Sequence, residues 1–437
     1  MAENKSKWKA SKYNLFARVP GTDKIAGVNL YKGILSEYSL PEMYLLSEIE
    51  NLPEDHPIIE RFRDKGLITN HDEKAALITG GRLSSRTKNK VHMTICPTMG
   101  CNFDCPYCFE DHRPGRMSSK TQDDVTELAK RMLDATDAET LVIVWFGGEP
   151  LLMPDIIESL SARLMAVAAE KKVNYEAEII TNGYLLDQDI IDMLERVKVN
   201  QMQITLDGLG PTHDATRHLA GGGGTFDRIT SNLRNLRFPF PVKVRQNVHD
   251  GNIAEAEELR KFLMNIASES DNHIISYRYP VDLNEVSVNR GSDVTLLRSE
   301  DMFRTELEYD VNWFRSGRCT FCGATKLNNI SIDDRGNLIK CWENVDKQML
   351  AFGTADEWDP DDPIRTSSNP DNLTSFMNCA IPLDDKECMN CIWLPKCAGG
   401  CPVKRLEGRK RCVAYKNDPE AFVLALHRKM KEQRKEI

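Results

Sequence analysis

Short apolar runs alternate with amphipathic stretches between residues 91 and 280. Runs at 91–96, 141–146, 176–180, 201–206, 242–248 and 273–279 predict strands, and the stretches at 119–134, 155–171, 187–197, 226–236 and 253–268 carry the helical period. The run Leu141-Val142-Ile143-Val144-Trp145-Phe146 is apolar throughout, the mark of a strand covered on both faces. Six strand–helix units predict an α/β fold, a parallel sheet clothed by helices. Barrel and open-sheet windings both fit this pattern. No G-x-G-x-x-G follows the first run, which counts against an open dinucleotide-binding sheet.

The flanks read differently. Stretches at 14–19 and 24–31 are candidate strands around a Pro20-Gly21-Thr22-Asp23 turn, Pro41 opens a helix to about residue 51, and a second helix near 56–65 ends at Gly66. The expectation is a small winged-helix-like α+β unit over 13–88, preceded by a flexible polar tail, 1–12. Residues 89–315 hold the alternating segment. From about 316 the chain is loop-rich, with a hairpin signal at Asp333-Asp334-Arg335-Gly336 and a basic terminal helix over 417–437 that is expected to pack on the sheet domain.

A net charge of −9 argues against non-specific nucleic-acid binding, and no apolar run reaches 18 residues. The start of the chain is polar and lysine-rich, so a cytoplasmic location is expected. Thirteen cysteines change the picture. Their odd number and C-x2-C spacings point to metal rather than disulfides. Four lie near residue 100 and nine between Cys319 and Cys412. Cys96, beside the first strand, reads as a buried structural thiol.

Cys101, Cys105 and Cys108 form a C-x3-C-x2-C array on the loop after the first strand, where α/β barrels build their chemistry. Three thiols cannot close a four-thiolate site, so a fourth ligand comes from elsewhere or one iron stays open. A structural zinc loop is the competing reading. With Tyr107 before the last thiol and Phe109-Glu110 after it, the array resembles that of the radical S-adenosylmethionine (SAM) enzymes. The resemblance implies a partial (β/α)6 barrel and a [4Fe–4S] cluster whose open iron is chelated by SAM. It also implies that Gly147-Gly148-Glu149-Pro150, after the second strand, binds the SAM amino group. Tyr107, Thr181, Asn182, Thr205, Arg245 and Asn247 become SAM-binding candidates. Asp207, in Asp207-Gly208, serves either SAM, the substrate or a turn. Gly221–Gly224 reads as a linker or a mobile cover.

The later cysteines fall as Cys319-x2-Cys322, Gly336-x4-Cys341, Cys379, Cys388-x2-Cys391-x5-Cys397-x3-Cys401 and Cys412. This pattern resembles the SPASM domain, the auxiliary iron–sulfur domain of peptide-modifying radical SAM enzymes. The resemblance implies two further [4Fe–4S] clusters, three in all. One would be held by Cys322, Cys341 and Cys401 with Cys319 as fourth ligand, for which Cys379 competes. The other would be held by Cys388, Cys391, Cys397 and Cys412. A zinc ribbon over 388–401 is the alternative.

By this resemblance the chain is a radical SAM oxidoreductase that modifies a ribosomally made precursor peptide, most simply by an intramolecular carbon–carbon or thioether cross-link. Its N-terminal unit would bind the leader as an added strand, or else merely cap the barrel. An external flavodoxin- or ferredoxin-like donor would supply electrons. Sulfatase-maturing relatives carry an aspartate after the G-x4-C cysteine; here Trp342 and Glu343 follow, which counts against that activity and leaves Glu343 beside Asp207 as a candidate catalytic group. A non-catalytic iron–sulfur or zinc-binding module is the reading from another class.

Overall fold

The computed structural model describes residues 7–85, 89–249, 251–280, 314, 322–379, 381–410, 412, 413, 416 and 418–433. They fall into two compact units that do not follow chain order. Met1–Ser85, Ser299–Cys322 and Asn378–Ile437 make the first, and Arg86–Arg298 with Gly323–Met377 the second. The cysteine-rich segment expected over 316–437 is thus divided between them.

In the first unit β1 (Lys9–Ala10) pairs antiparallel with β5 (Ile68–Thr69), and β2 (Asn14–Arg18), β3 (Lys24–Asn29) and β4 (Ile34–Ser39) form an antiparallel sheet in that order. The tail expected over 1–12 is therefore structured from residue 9. Besides the strand pair, the buried Ser11 hydroxyl donates to Glu73 Oε1 at 2.9 Å. Three helices follow β4. The first, α1 (Leu40–Ser47), opens with a capping box between Ser39 and Glu42 and with Pro41 in its first turn. The others are α2 (Pro57–Asp64) and α3 (Glu73–Ser85). The pattern of the chain did not announce β4, whose apolar and polar residues do not alternate, nor α3, which contains Gly80-Gly81.

The second unit is built on six parallel strands: β6 (Lys90–Ile95), β7 (Thr140–Trp145), β8 (Asn174–Thr181), β9 (Val199–Thr205), β10 (Val242–Val248) and β11 (Ile274–Pro280). Helices α4 (Ser119–Asp134), α5 (Pro154–Lys171), α6 (Gln188–Arg196), α7 (Gly210–Thr216), α8 (Phe226–Asn235) and α9 (Ala256–Ser270) connect them. The strands lie side by side in sequence order, with none of the reversal that defines a doubly wound sheet. Every residue of β7 is buried, as its apolar run requires. Alternate residues of the strands (Met93, Ile143, Ile179, Met202, Val244) share one core with the inner faces of α4 and α5.

Past β6 the sheet continues into the hairpin expected for the cysteine-rich segment. β12 (Asn329–Ile332) runs parallel to β6, and β13 (Asn337–Ile339) and β14 (Gly353–Thr354) follow antiparallel. α10 (Pro370–Asn378) closes this part.

The remaining helices belong to the first unit: α11 (Lys386–Asn390), α12 (Leu394–Cys397), α13 (Pro402–Leu406) and α14 (Pro419–Gln433). The terminal helix packs on β2 and β3, not on the barrel sheet. Phe422, Val423 and Leu426 bury themselves against Leu15, Val28 and Trp393, each such side chain contributing about 1.5–3 kcal/mol.

Candidate active site

The thiol loop leaves β6 at its carboxyl end. Cys105 is buried, and Cys101 and Cys108 are partly so. Burial, with Glu149 and Cys105 adding to it, pushes the Cys101 thiol up to about 12, and burial, then Glu110, raises Cys108 as well. A cationic group bound among them would reverse that shift and hold them as thiolates. The loop is held open by pairing with a second segment. Phe103 bridges Leu219 antiparallel, Asp104 N donates to His218 O at 3.1 Å, and Ala220 N donates to Asn102 O at 2.9 Å. The glycines 221–224, expected as a linker or cover, form the turn that closes this segment, with Leu219 N donating to Gly223 O.

Gly147 and Gly148 follow β7 and press against the thiol loop. A Cβ on Gly148 would stand 2.3 Å from Gly100 O, and one on Gly147 2.3 Å from Thr98 O. The glycines are therefore required by the close approach of two backbones, whatever a ligand does. Gly148→Ala is expected to displace residues 98–101 and to cut SAM cleavage at least about tenfold, a barrier change of about 1.4 kcal/mol or more. Release of 5′-deoxyadenosine under a chemical reductant measures it, and full activity would show that the loop tolerates the shift.

Glu149 is 1% exposed. Its Oε1 accepts from Leu151 N at 3.0 Å and Thr181 Oγ1 at 2.7 Å, and its Oε2 from Asn182 N at 2.7 Å. Pro150, also buried, starts the short turn that Glu149 caps. Asn182 Nδ2 in turn donates to Asn102 Oδ1 at 2.8 Å. One carboxylate thus ties the ends of β7 and β8 together, and one amide ties β8 to the thiol loop. Three of the acceptor positions of the Glu149 carboxylate are directed at the protein itself.

A second knot lies under Tyr107. Its hydroxyl donates to Asp207 Oδ2 and accepts from Arg217 Nη1 at 2.8 Å and from Asn247 Nδ2 at 3.2 Å. Asp207, fully buried, also accepts from Asn247 N at 3.1 Å and Thr216 Oγ1 at 3.3 Å. Arg245 Nε donates to Asn247 Oδ1 at 2.8 Å, and Thr205 is buried at the end of β9. Arg217, after α7, is absent from the sequence expectations. It stands over the Phe103 ring at 5.7 Å, and no local motif marks it. Two buried donors of this region, Asn102 Nδ2 and Arg217 Nε, have no acceptor among the described residues. A small molecule rich in carboxylate and hydroxyl oxygens suits them. These donors and the three thiols fit SAM and an iron–sulfur cluster.

Cys341 follows β13 in the second unit, and its neighbour Trp342, 45% exposed, stacks on Phe146, which stacks on Phe109 next to Cys108. Glu343 lies half-buried on the next turn. Arg113 joins the thiol loop to the β12–β13 turn through Asp333 and Asp334, at 3.1 and 2.9 Å. Cys96 is fully buried.

In the first unit, Cys388, Cys391, Cys397 and Cys412 line one cavity together with Trp393, Lys410 and Lys416. Cys401 does not line it. Ala398, Gly399 and Gly400 all have positive φ (48°, 84° and 79°), which reverses the chain between Cys397 and Cys401. Among the described residues no three cysteine, histidine or acidic side chains converge tightly enough to hold a single metal ion, as zinc with its bonds of about 2.3 Å to sulfur requires. Cys322 and Cys379 belong to this unit too, while Cys319 lies outside the described residues. No helix of the described residues is long and apolar enough to cross a membrane.

Residues 95–263 match the model of the radical SAM superfamily. The chain is 31% identical over 162 residues to the AdoMet-dependent heme synthase of Methanosarcina barkeri (36% of this chain, 42% of the relative). It is 27% identical over 164 residues to the PqqA peptide cyclase of Gluconobacter oxydans (37% and 42%). It spans less than half the length of these curated relatives. Among solved structures, native anSMEcpe with bound AdoMet and Cp18Cys peptide is similar at TM-score 0.55 and 18% identity, covering 79% of this chain and 99% of that one. Streptococcus suis SuiB bound to precursor peptide SuiA is similar at TM-score 0.51 and 15% identity, covering 93% and 99%. Thiol loop, sequentially ordered parallel strands and family match agree, and residues 95–263 of this chain are a radical SAM domain.

Proposed function

We infer that this protein is a radical SAM peptide maturase, which oxidatively modifies a ribosomally made precursor by forming a cross-link within it. The observation that carries the reading is the open three-thiol loop at the carboxyl end of β6, locked to the Gly147-Gly148 turn. Bound SAM and cluster would supply reductive cleavage to methionine and a 5′-deoxyadenosyl radical, which takes a hydrogen atom from the peptide. The chain's own residues bind and orient. Cys101, Cys105 and Cys108 would ligate the cluster, with Asn102 and Arg217 offering free donors to SAM and Tyr107 held in place by Asp207 and Asn247.

The four-thiol cavity would hold one auxiliary cluster through Cys388, Cys391, Cys397 and Cys412. A second auxiliary cluster would draw on the remaining cysteines of the C-terminal segment. Removing two hydrogens from a peptide requires an electron exit, which auxiliary clusters provide. A relative that is a PqqA peptide cyclase and two peptide-bound fold neighbours support a peptide substrate.

Among the described residues of the first unit β4 pairs only with β3, and a groove beside it is lined by Leu35, Ser36 and Glu37 with Arg61, Lys65 and Lys431. An acidic leader added as a strand along β4 suits this edge. Lys65→Glu combined with Lys431→Glu is expected to weaken precursor binding at least about tenfold at low salt and leave peptide-free SAM cleavage unchanged. Fluorescence anisotropy of labelled precursor measures it.

The direct test is anaerobic incubation of reconstituted protein with SAM, reductant and the short peptides encoded by any neighbouring open reading frames. A peptide lighter by two hydrogens for each 5′-deoxyadenosine released supports the reading. SAM cleavage with no change in any such peptide overturns it.

A further inference from the structure

We propose that Lys416, held by a chain of alternating charges, sets the redox potential of the cluster in the four-thiol cavity and makes it the electron-accepting cluster of the protein. This rests on the reading that Cys388, Cys391, Cys397 and Cys412 hold a [4Fe–4S] cluster. Lys416 Nζ donates to Cys412 Sγ at 3.6 Å and to Glu387 Oε1 at 2.8 Å. Glu387 Oε2 accepts from Lys410 Nζ at 2.8 Å, and Lys410 Nζ also meets Asp385 Oδ2 at 2.7 Å. Asp385 Oδ1 closes the chain by accepting from the backbone N–H groups of Glu387 and Cys388, at 3.0 and 3.1 Å, at the start of α11.

The arrangement does two things. Cys412 follows the other three ligands on a separate segment after α13, and the charge chain ties it to the helix that carries Cys388. The ammonium of Lys416 is also left pointing at a ligand sulfur. When an oxidised cluster takes up one electron, its negative charge rises by one. A cation and an N–H donor at the sulfur stabilise that reduced state and raise the potential. Glu387 is shared between Lys416 and Lys410, so Lys416 is fixed in direction but only partly neutralised. Cys412 is exposed, which places this edge of the cluster within reach of a soluble redox partner.

The test is an EPR-monitored reductive titration of the full, reconstituted chain carrying Lys416→Met, Lys416→Arg or Cys388→Ser. Cys388→Ser identifies which signal belongs to the cavity. If it removes neither iron nor any signal, the cavity holds no cluster and the underlying reading fails. With that signal assigned, Lys416→Met is expected to lower its reduced-to-oxidised ratio about tenfold at fixed potential, about 59 mV for one electron. Iron content and the other signals should be unchanged, and Lys416→Arg should restore most of the shift. An unshifted signal in Lys416→Met, or loss of iron in both lysine variants, overturns the proposal. Lys416 would then be a surface charge or a purely structural tie.

Discussion

Replacing Cys105 with alanine is expected to remove about four irons per chain and bring 5′-deoxyadenosine release to background. Cys105 is the buried member of the three-thiol loop, and the other two thiols both feel its charge. The two remaining thiols lie partly buried on a loop that offers no third thiolate in place of Cys105, so they cannot retain a cubane with an open iron. The fold should barely notice. Deleting one sulfur in a loop that is fastened by Asn102, Phe103 and Asp104 to residues 218–220 costs about 1 kcal/mol. Iron analysis, SAM cleavage and a melting curve on the same sample separate these effects. Full iron content with SAM cleavage intact would remove the thiol loop from the chemistry.

Glu149→Ala is expected to act on the fold as well as on the reaction. The substitution strands three buried donors at once: Leu151 N, Thr181 Oγ1 and Asn182 N. Each unsatisfied donor costs about 1–3 kcal/mol, and a total of about 3–5 kcal/mol is expected. The loss falls on the junction of β7, β8 and the thiol loop, so SAM binding weakens together with stability. Glu149→Gln should lose about half as much. Its oxygen still serves Leu151 and Thr181, while its amide N–H meets the Asn182 N–H, donor against donor. Thermal unfolding of the cluster-free protein reads the effect without involving catalysis. An unchanged melting midpoint in Glu149→Ala would mean that these bonds do not form.

Much of the site was legible because its signals are local. A thiol array with fixed spacing after an apolar run, and a Gly-Gly-Glu-Pro turn after the next run, are contiguous in the chain. Arg217 was not legible. It follows a short helix and is identified only by Tyr107 and Phe103, more than a hundred positions away. The reason for Gly148 was not legible either, since the atom it must avoid, Gly100 O, lies on another loop. The terminal helix was expected on the barrel sheet but lies on β2 and β3. Its apolar stripe says that it needs a partner without saying which one.

The sequence by itself determined the six strands and five of the six helices between them, the parallel α/β class, and the chemical character of two cysteine-rich regions. Hydrophobic period and residue spacing are properties of neighbouring residues and survive without the fold. Only the tertiary structure decided which segments share a unit, that β12 joins β6, and that Glu149 and Asp207 serve as buried anchors. Each of these depends on closing a long loop and satisfying buried polar groups across it. Such pairings are chosen by packing and hydrogen bonding between segments far apart in the chain, where no local period carries a trace of them.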